Sequence, residues 1–316
     1  MHLTHSRAAT GRGRGRVRLR AMAAFVFVES GSSIRSRHRQ DRTGGEVAVA
    51  WRQATSACSL RDAFACGPMA PGACATAVIA LRPWHPWRDE AWSLLDASER
   101  QRAGQRRFAD DREALALTYA LHRLFVAASL GVAPESITIA RDAEGAPYLP
   151  GITLHGHAVH TSLSHADGVA AFALCALGPV GIDIEAAFRA SELPGIATSV
   201  CHPSELQSLA NLPEPARSRA LLALWVRKEA LLKAEGIGLA REMCSFHAAA
   251  GGEFILAGSA RELPAACSVR LAMLDVGERW TAAVAAPREA AVECLQLHPH
   301  DPPAGRSAGG RSLSLS

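Results

Sequence analysis

Apolar residues recur at helical spacing in two long stretches and alternate, or run together, in many short ones. Across residues 112–130, Leu115, Tyr119, Leu121, Leu124 and Phe125 mark the buried side of a helix. Gly131 stands where such a helix ends in left-handed backbone. Residues 217–235 carry Leu221, Leu224, Leu231 and Leu232 at the same period and stop at Gly236. Ser98 is placed to cap a shorter helix running to Phe108, and Pro203-Ser204-Glu205 opens another through Leu209. Strand patterns cover residues 77–81, 137–140, 159–164, 169–177, 180–185, 246–248, 254–256, 268–274 and 280–285. Ala166-Asp167-Gly168 joins two of them as a hairpin turn. The pattern predicts an α+β protein of antiparallel sheets and packed helices.

The periodic part falls into two segments, 76–178 and 179–292. The 1–75 stretch reads as a disordered, arginine-rich extension, since Gly11-Arg12-Gly13-Arg14-Gly15-Arg16 has nothing to bury. Met69 is the expected true start of translation, and 293–316, rich in Pro, Gly and Ser, is expected to be a disordered tail.

Charge sharpens that division. The chain of 316 residues has a formal net charge of +4. Ten arginines stand against Glu29 and Asp41 in residues 1–45, a net of +8, so the remaining residues carry −4. The basic character belongs to the extension, which argues against nucleic acid as a partner of the body. No apolar run approaches the ~20 residues that span a bilayer. Eight cysteines lack any C-x-x-C pair, consistent with reduced thiols in a cytoplasmic enzyme, and thirteen histidines show no metal-ligand spacing.

The chemistry lies in two segments about 45 residues apart. In Gly181-Ile182-Asp183-Ile184-Glu185, strand alternation puts Asp183 and Glu185 on one face and the two isoleucines in the core. In Trp225-Val226-Arg227-Lys228-Glu229-Ala230-Leu231-Leu232-Lys233, helical spacing aligns Leu222, Trp225, Glu229 and Lys233, with Lys228 just off the stripe. Three carboxylates beside lysines suit a hard divalent cation that holds phosphate. Gly181 leaves room for a ligand or a neighbouring backbone.

These segments resemble the 4′-phosphopantetheinyl transferases of the surfactin-synthetase-activating (Sfp) type, which carry a Gly-x-Asp-x-Glu strand followed by a Trp-x-x-Lys-Glu-x-x-x-Lys helix. Ala234-Glu235-Gly236-Ile237-Gly238-Leu239, Ser162-Leu163-Ser164-His165 and Arg106-Arg107-Phe108, with Asp111, Arg112 and Arg123, extend the resemblance over residues 76–290. It implies two similar halves related by a pseudo-twofold axis, in a monomer. It also implies transfer of the phosphopantetheine arm of coenzyme A to a serine of an acyl or peptidyl carrier protein, leaving adenosine 3′,5′-bisphosphate. The carriers implied serve fatty acid, polyketide, nonribosomal peptide or lysine biosynthesis.

Carried over, Asp183, Glu185 and Glu229 would hold Mg²⁺, with Mn²⁺ as the alternative ion. Glu229, Lys233 and Lys228 would be catalytic, Lys228 by assisting or by holding the helix. Arg107, Arg112, Gly145, Pro147, Ser164, His165, Asp183 and Lys233 would bind the nucleotide. Ala114, Tyr119 and Ala146 depart from residues common in the family. Two other readings remain open: a different Mg²⁺-dependent phosphate-transfer or phosphohydrolase enzyme, and a nucleic-acid-binding protein acting through the arginine-rich extension.

Overall fold

The computed structural model describes residues 59–238, 241–256 and 267–299. The arginine-rich residues up to 58 and those beyond 299 lie outside them, so the expectations for those stretches stand as expectations.

The described chain begins with α1 (Leu60–Ala63), one turn capped reciprocally by Ser59 and Asp62. It continues through β1 (Ala73–Ala80), α2 (Arg88–Leu94), α3 (Ala97–Gly104) and α4 (Ala109–Leu130). Two small ladders follow, β2 (Ala140–Arg141) with β3 (Pro147–Tyr148) and β4 (Thr153–Leu154) with β5 (His157–Ala158). The hairpin β6 (His160–Ala166) and β7 (Val169–Cys175) turns at Asp167 and Gly168, both with positive φ, as the sequence predicts. Then come β8 (Gly181–Ala186), α5 (Ala197–Val200), α6 (Pro203–Ala210) and α7 (Ala216–Glu235). The last strands are β9 (Glu253–Leu256), β10 (Cys267–Leu274), β11 (Trp280–Pro287) and β12 (Ala291–Gln296).

Two four-stranded sheets result, in the orders β12-β1-β7-β6 and β8-β11-β10-β9. In each, the first strand lies antiparallel to the second arm of a later hairpin, β1 on β7 and β8 on β11. A long helix covers each sheet. Leu121 and Phe125 of α4 pack with Phe172 and Leu174, while Leu224 and Leu231 of α7 pack with Val269, Leu271 and Ala283. The opposite sheet faces meet in a third core, where Val78, Val169 and Ala171 face Ile182, Ile184 and Val284. Strands β7 and β11 are therefore covered on both sides, which explains why they read as nearly unbroken apolar runs. Both long helices end on left-handed glycines, Gly131 and Gly236, as expected.

Four expectations change. Folded structure starts before residue 76: Leu60 and Ala63 are fully buried in the first core, and β1 begins at Ala73. The tail boundary at 293 falls inside β12, which returns to pair in parallel with β1, so the first sheet is completed by the end of the chain. Residues 246–248 are not a strand. They follow a tight turn at Met243–Ser245, and Phe246 and Ala248 are buried by packing rather than by pairing. Ile137 and Ile139 are also buried, but irregular backbone holds them and only Ala140–Arg141 enters a ladder.

Candidate active site

Gly181 determines how the site is assembled. A β-carbon there would fall 2.0 Å from the Ala230 carbonyl oxygen and 2.4 Å from the Ala234 nitrogen, so only glycine lets α7 lie directly on β8. Of the two neighbours expected at Gly181, a ligand or a backbone, the structure has the backbone of α7. The close approach brings the last turns of α7 against the next residues of the strand. Lys233 Nζ donates to the Ile182 carbonyl at 3.2 Å and to Asp183 Oδ1 at 2.6 Å. On the other side, β6 borders β8 without a ladder. Ser162 Oγ accepts from the Ile182 N–H at 3.1 Å, and Ser164 Oγ donates to Asp183 Oδ1 at 2.7 Å. Asp183 thus sits at the seam of the two sheets, 4% exposed, with Oδ1 doubly engaged and Oδ2 buried and unpartnered.

Two glutamates complete the acidic cluster. Glu229 is raised to about 7, first by burial and then by the charge of Asp183. Glu185 is raised to about 7 by the same two effects, although Arg189 Nη1 donates to its Oε2 at 2.7 Å. Both glutamates therefore feel the charge of Asp183, and Glu229 also feels that of Glu185. Among the described residues no three acidic, histidine or cysteine side chains already enclose a single metal position. Lys233 and Arg189 each neutralise one carboxylate instead. The donors nonetheless fit a hard divalent cation: all are carboxylate oxygens, one is orphaned in a buried position, and burial and the charge of Asp183 disfavour ionisation of the two glutamates.

A basic wall stands beside this cluster. His165 follows Ser164 on β6 and is exposed, yet surrounding atoms and the cations Lys233, Arg106 and Arg141 push it down to about 4. Arg141 stacks 4.6 Å over the Tyr119 ring and donates to the Gly145 carbonyl at 2.9 Å. Burial pushes the Tyr119 hydroxyl up, against the opposing pull of Arg141, Arg102 and Arg106. His165, Lys233, Arg106 and Arg141, with Arg102 behind them, form a field suited to anionic oxygens.

Of the residues named from sequence, Asp183, Glu185, Glu229, Lys233, Ser164 and His165 converge. Gly145, at φ 88°, makes the turn that presents Arg141, and buried Pro147 pairs with Arg141 across the β2–β3 ladder. Arg112 Nη1 donates to the carbonyls of Arg106 and Arg107, so it shapes the loop that carries the arginines. Arg107 lies exposed against the Phe108 ring.

Lys228 requires correction. Its side chain is fully buried, away from the carboxylates. Nζ reaches the carbonyls of Val200, Met243 and Phe246 at 2.7–2.8 Å and Glu205 Oε2 at 2.6 Å. No substrate can touch it there, and it fastens α7 to the segments behind it. Sequence reasoning missed Arg102, Arg141 and Arg189. Only Arg189, four residues beyond Glu185, carried a spacing signal, and that spacing counts only once a helical turn is known to follow the strand.

Two α+β halves that set a carboxylate–lysine cluster and a basic wall at their seam define a class of site built for a cation and phosphate. Residues 179–285 match the 4′-phosphopantetheinyl transferase superfamily, and residues 82–176 match the 4′-phosphopantetheinyl transferase N-terminal family. The chain belongs to the 4′-phosphopantetheinyl transferase superfamily. It is 29% identical over 149 residues to the 4′-phosphopantetheinyl transferase HetI of Nostoc sp., covering 47% of this chain and 62% of that protein. It is 26% identical over 150 residues to slr0495 of Synechocystis sp., provisionally named as a 4′-phosphopantetheinyl transferase, covering 47% of this chain and 60% of that protein. The matched stretch thus spans about three fifths of each relative. No helix among the described residues is long and apolar enough to cross a membrane.

Proposed function

We propose that this protein transfers the 4′-phosphopantetheine arm of coenzyme A to a serine hydroxyl of an acyl or peptidyl carrier protein, releasing adenosine 3′,5′-bisphosphate. The observation that carries the reading is the meeting of Lys233, Asp183 and Ser164 at the seam, with Glu229 one helical turn before Lys233.

Asp183, Glu185 and Glu229 would hold Mg²⁺, or Mn²⁺ in its place. When bound, the ion supplies positive charge to the pyrophosphate as the phosphorus–oxygen bond breaks. Lys233 Nζ, held by the Ile182 carbonyl, lies within reach of the same pyrophosphate and stabilises the leaving bisphosphate. Glu229, one helical turn before Lys233, is the candidate to accept the proton of the carrier serine. Arg106, Arg141 and His165 face the remaining phosphate of the nucleotide. His165 is neutral in the free protein and serves there as a hydrogen-bond partner until a phosphate raises its basicity. Arg102, Arg107 and Arg112 support this wall.

The test is the intact mass of an apo-carrier protein incubated with the protein, coenzyme A and Mg²⁺. A gain of one phosphopantetheine, abolished by EDTA, supports the reading. No gain on fatty-acid and peptidyl carriers, while coenzyme A still binds, would refute transfer to those partners.

A further inference from the structure

The carboxylate cluster contains a cation of the protein's own. Arg189 lies on the helical turn Ala187–Ser191 that follows β8. Its Nη1 donates to Glu185 Oε2 at 2.7 Å, with both side chains mostly covered at 14% and 12% exposure. Its Nε reaches Glu192 Oε2 at 3.4 Å, and Glu192 is half-exposed at 51%. One guanidinium thus bridges an inner carboxylate that faces the cleft and an outer one that faces solvent. Glu185 stands two residues along β8 from Asp183, whose Oδ2 is a buried acceptor with no partner.

We propose that Arg189 is a positioning residue that guards the metal site, bound to Glu185 until a divalent cation enters and released toward Glu192 when one does. The inference rests on the metal-site reading above. Three physical points support it. A planar guanidinium can hold two carboxylates at once and let go of one without losing the other. The Glu185 side chain is 12% exposed, and the cation hydrogen-bonded to it at 2.7 Å is Arg189. The turn is anchored on both sides, by the Ala187 N–H to the Arg279 carbonyl at 2.9 Å and the Glu192 N–H to the Arg189 carbonyl at 2.9 Å. Release therefore needs only a side-chain rotation.

The experiment uses the full chain without carrier or coenzyme A. Mg²⁺ binding is measured by calorimetry in the native protein and in Arg189→Gln and Arg189→Lys, while the Arg189 Nε–Hε signal is followed by ¹⁵N NMR. The expected result is roughly tenfold tighter Mg²⁺ binding in Arg189→Gln, the factor that ~1.4 kcal/mol makes in a binding constant. In the native protein the Arg189 signal should move in step with Mg²⁺ occupancy. Arg189→Lys keeps the charge and loses the two-carboxylate fork, so tighter binding there as well assigns the effect to release rather than to net charge. Mg²⁺ binding that leaves both the Arg189 signal and the Arg189→Gln affinity unchanged overturns the inference and leaves the metal site standing. Absence of Mg²⁺ binding in all three proteins instead overturns the metal-site reading itself.

Discussion

In the first half, α4 fastens Arg123 to Glu99, the third residue of the capping box that opens α3. In the second, α7 fastens Lys228 to Glu205, at the same place in the box that opens α6. Each cation also takes backbone carbonyls: Arg123 that of Ile137, Lys228 those of Val200, Met243 and Phe246. The wiring is common to both halves, but its completeness differs. Glu99 Oε1 is buried without a partner, and burial outweighs Arg123 to leave this acid raised. For Glu205 burial alone would also raise the acid. Lys228 and the N–H groups of Ala248 and His202 overcome it and hold Glu205 below the usual range. The better satisfied anchor belongs to the helix that carries Glu229 and Lys233. The lesson is that the site is held from behind: the residue before Glu229 in the chain fixes where Glu229 stands.

That comparison can be broken most sharply at the site itself. Asp183→Ala and Glu229→Ala are expected to abolish carrier modification while circular dichroism shows the fold retained. Substantial activity in either would dissociate the cluster from the chemistry. Next come the anchors. Lys228→Met and Arg123→Met each remove one partner of a buried pair, a change that costs about 3–5 kcal/mol. Arg123→Met should fall at the low end, because Glu99 is already raised and can take up a proton. Only Lys228→Met should also lower kcat of the folded fraction, so equal kcat losses would end the distinction between the halves.

A chain starting at Met69 should melt earlier than the native chain. It lacks Leu60 and Phe64, whose burial contributes about 2–4 kcal/mol. An unchanged melting temperature would show that α1 adds nothing to the first core.

The smallest effects are in pH dependence, and the halves should show opposite slopes. His122 in α4 donates from Nε2 to Thr161 Oγ1 at 2.8 Å and is pushed down to about 3, chiefly by burial. The unfolded chain binds the extra proton, so this group's stability is complete above about 6.5 and is lost as pH falls toward 3. Glu185 and Glu229 titrate at about 7 when folded against 4.5 unfolded, so without divalent cation they weaken the fold as pH rises through that window. Urea midpoints of His122→Asn and Glu229→Gln should each flatten their own slope, and added Mg²⁺ should flatten only the second.

Much of this was legible in the sequence because the signals were local. Asp183 and Glu185 alternate with Ile182 and Ile184 on β8, and the α7 stripe places Glu229 one turn before Lys233, so spacing grouped the charges within each segment and the family resemblance joined the two segments. The long helices declared their own ends through Gly131 and Gly236. What was not legible depended on partners far along the chain. Arg141 becomes part of the basic wall only through Tyr119 on another element. Lys228 read as catalytic because a lysine beside a functional glutamate looks active until three carbonyls are seen around it. β12, exposed along its whole length, has too little buried surface to announce itself as a strand.

That last strand has a consequence for how the molecule is made. Thr76 on β1 donates to the Glu293 carbonyl on β12, a contact across 217 positions of sequence. On the ribosome, β1 can find β7 early but must wait for nearly the whole chain before its other edge is covered. Until then the nascent first half presents an unpaired strand. Completion of the oldest sheet by the newest strand makes folding a late, long-range closure, and slow for that reason. Chaperone demand in the cell would therefore be greatest just before residues 291–296 emerge.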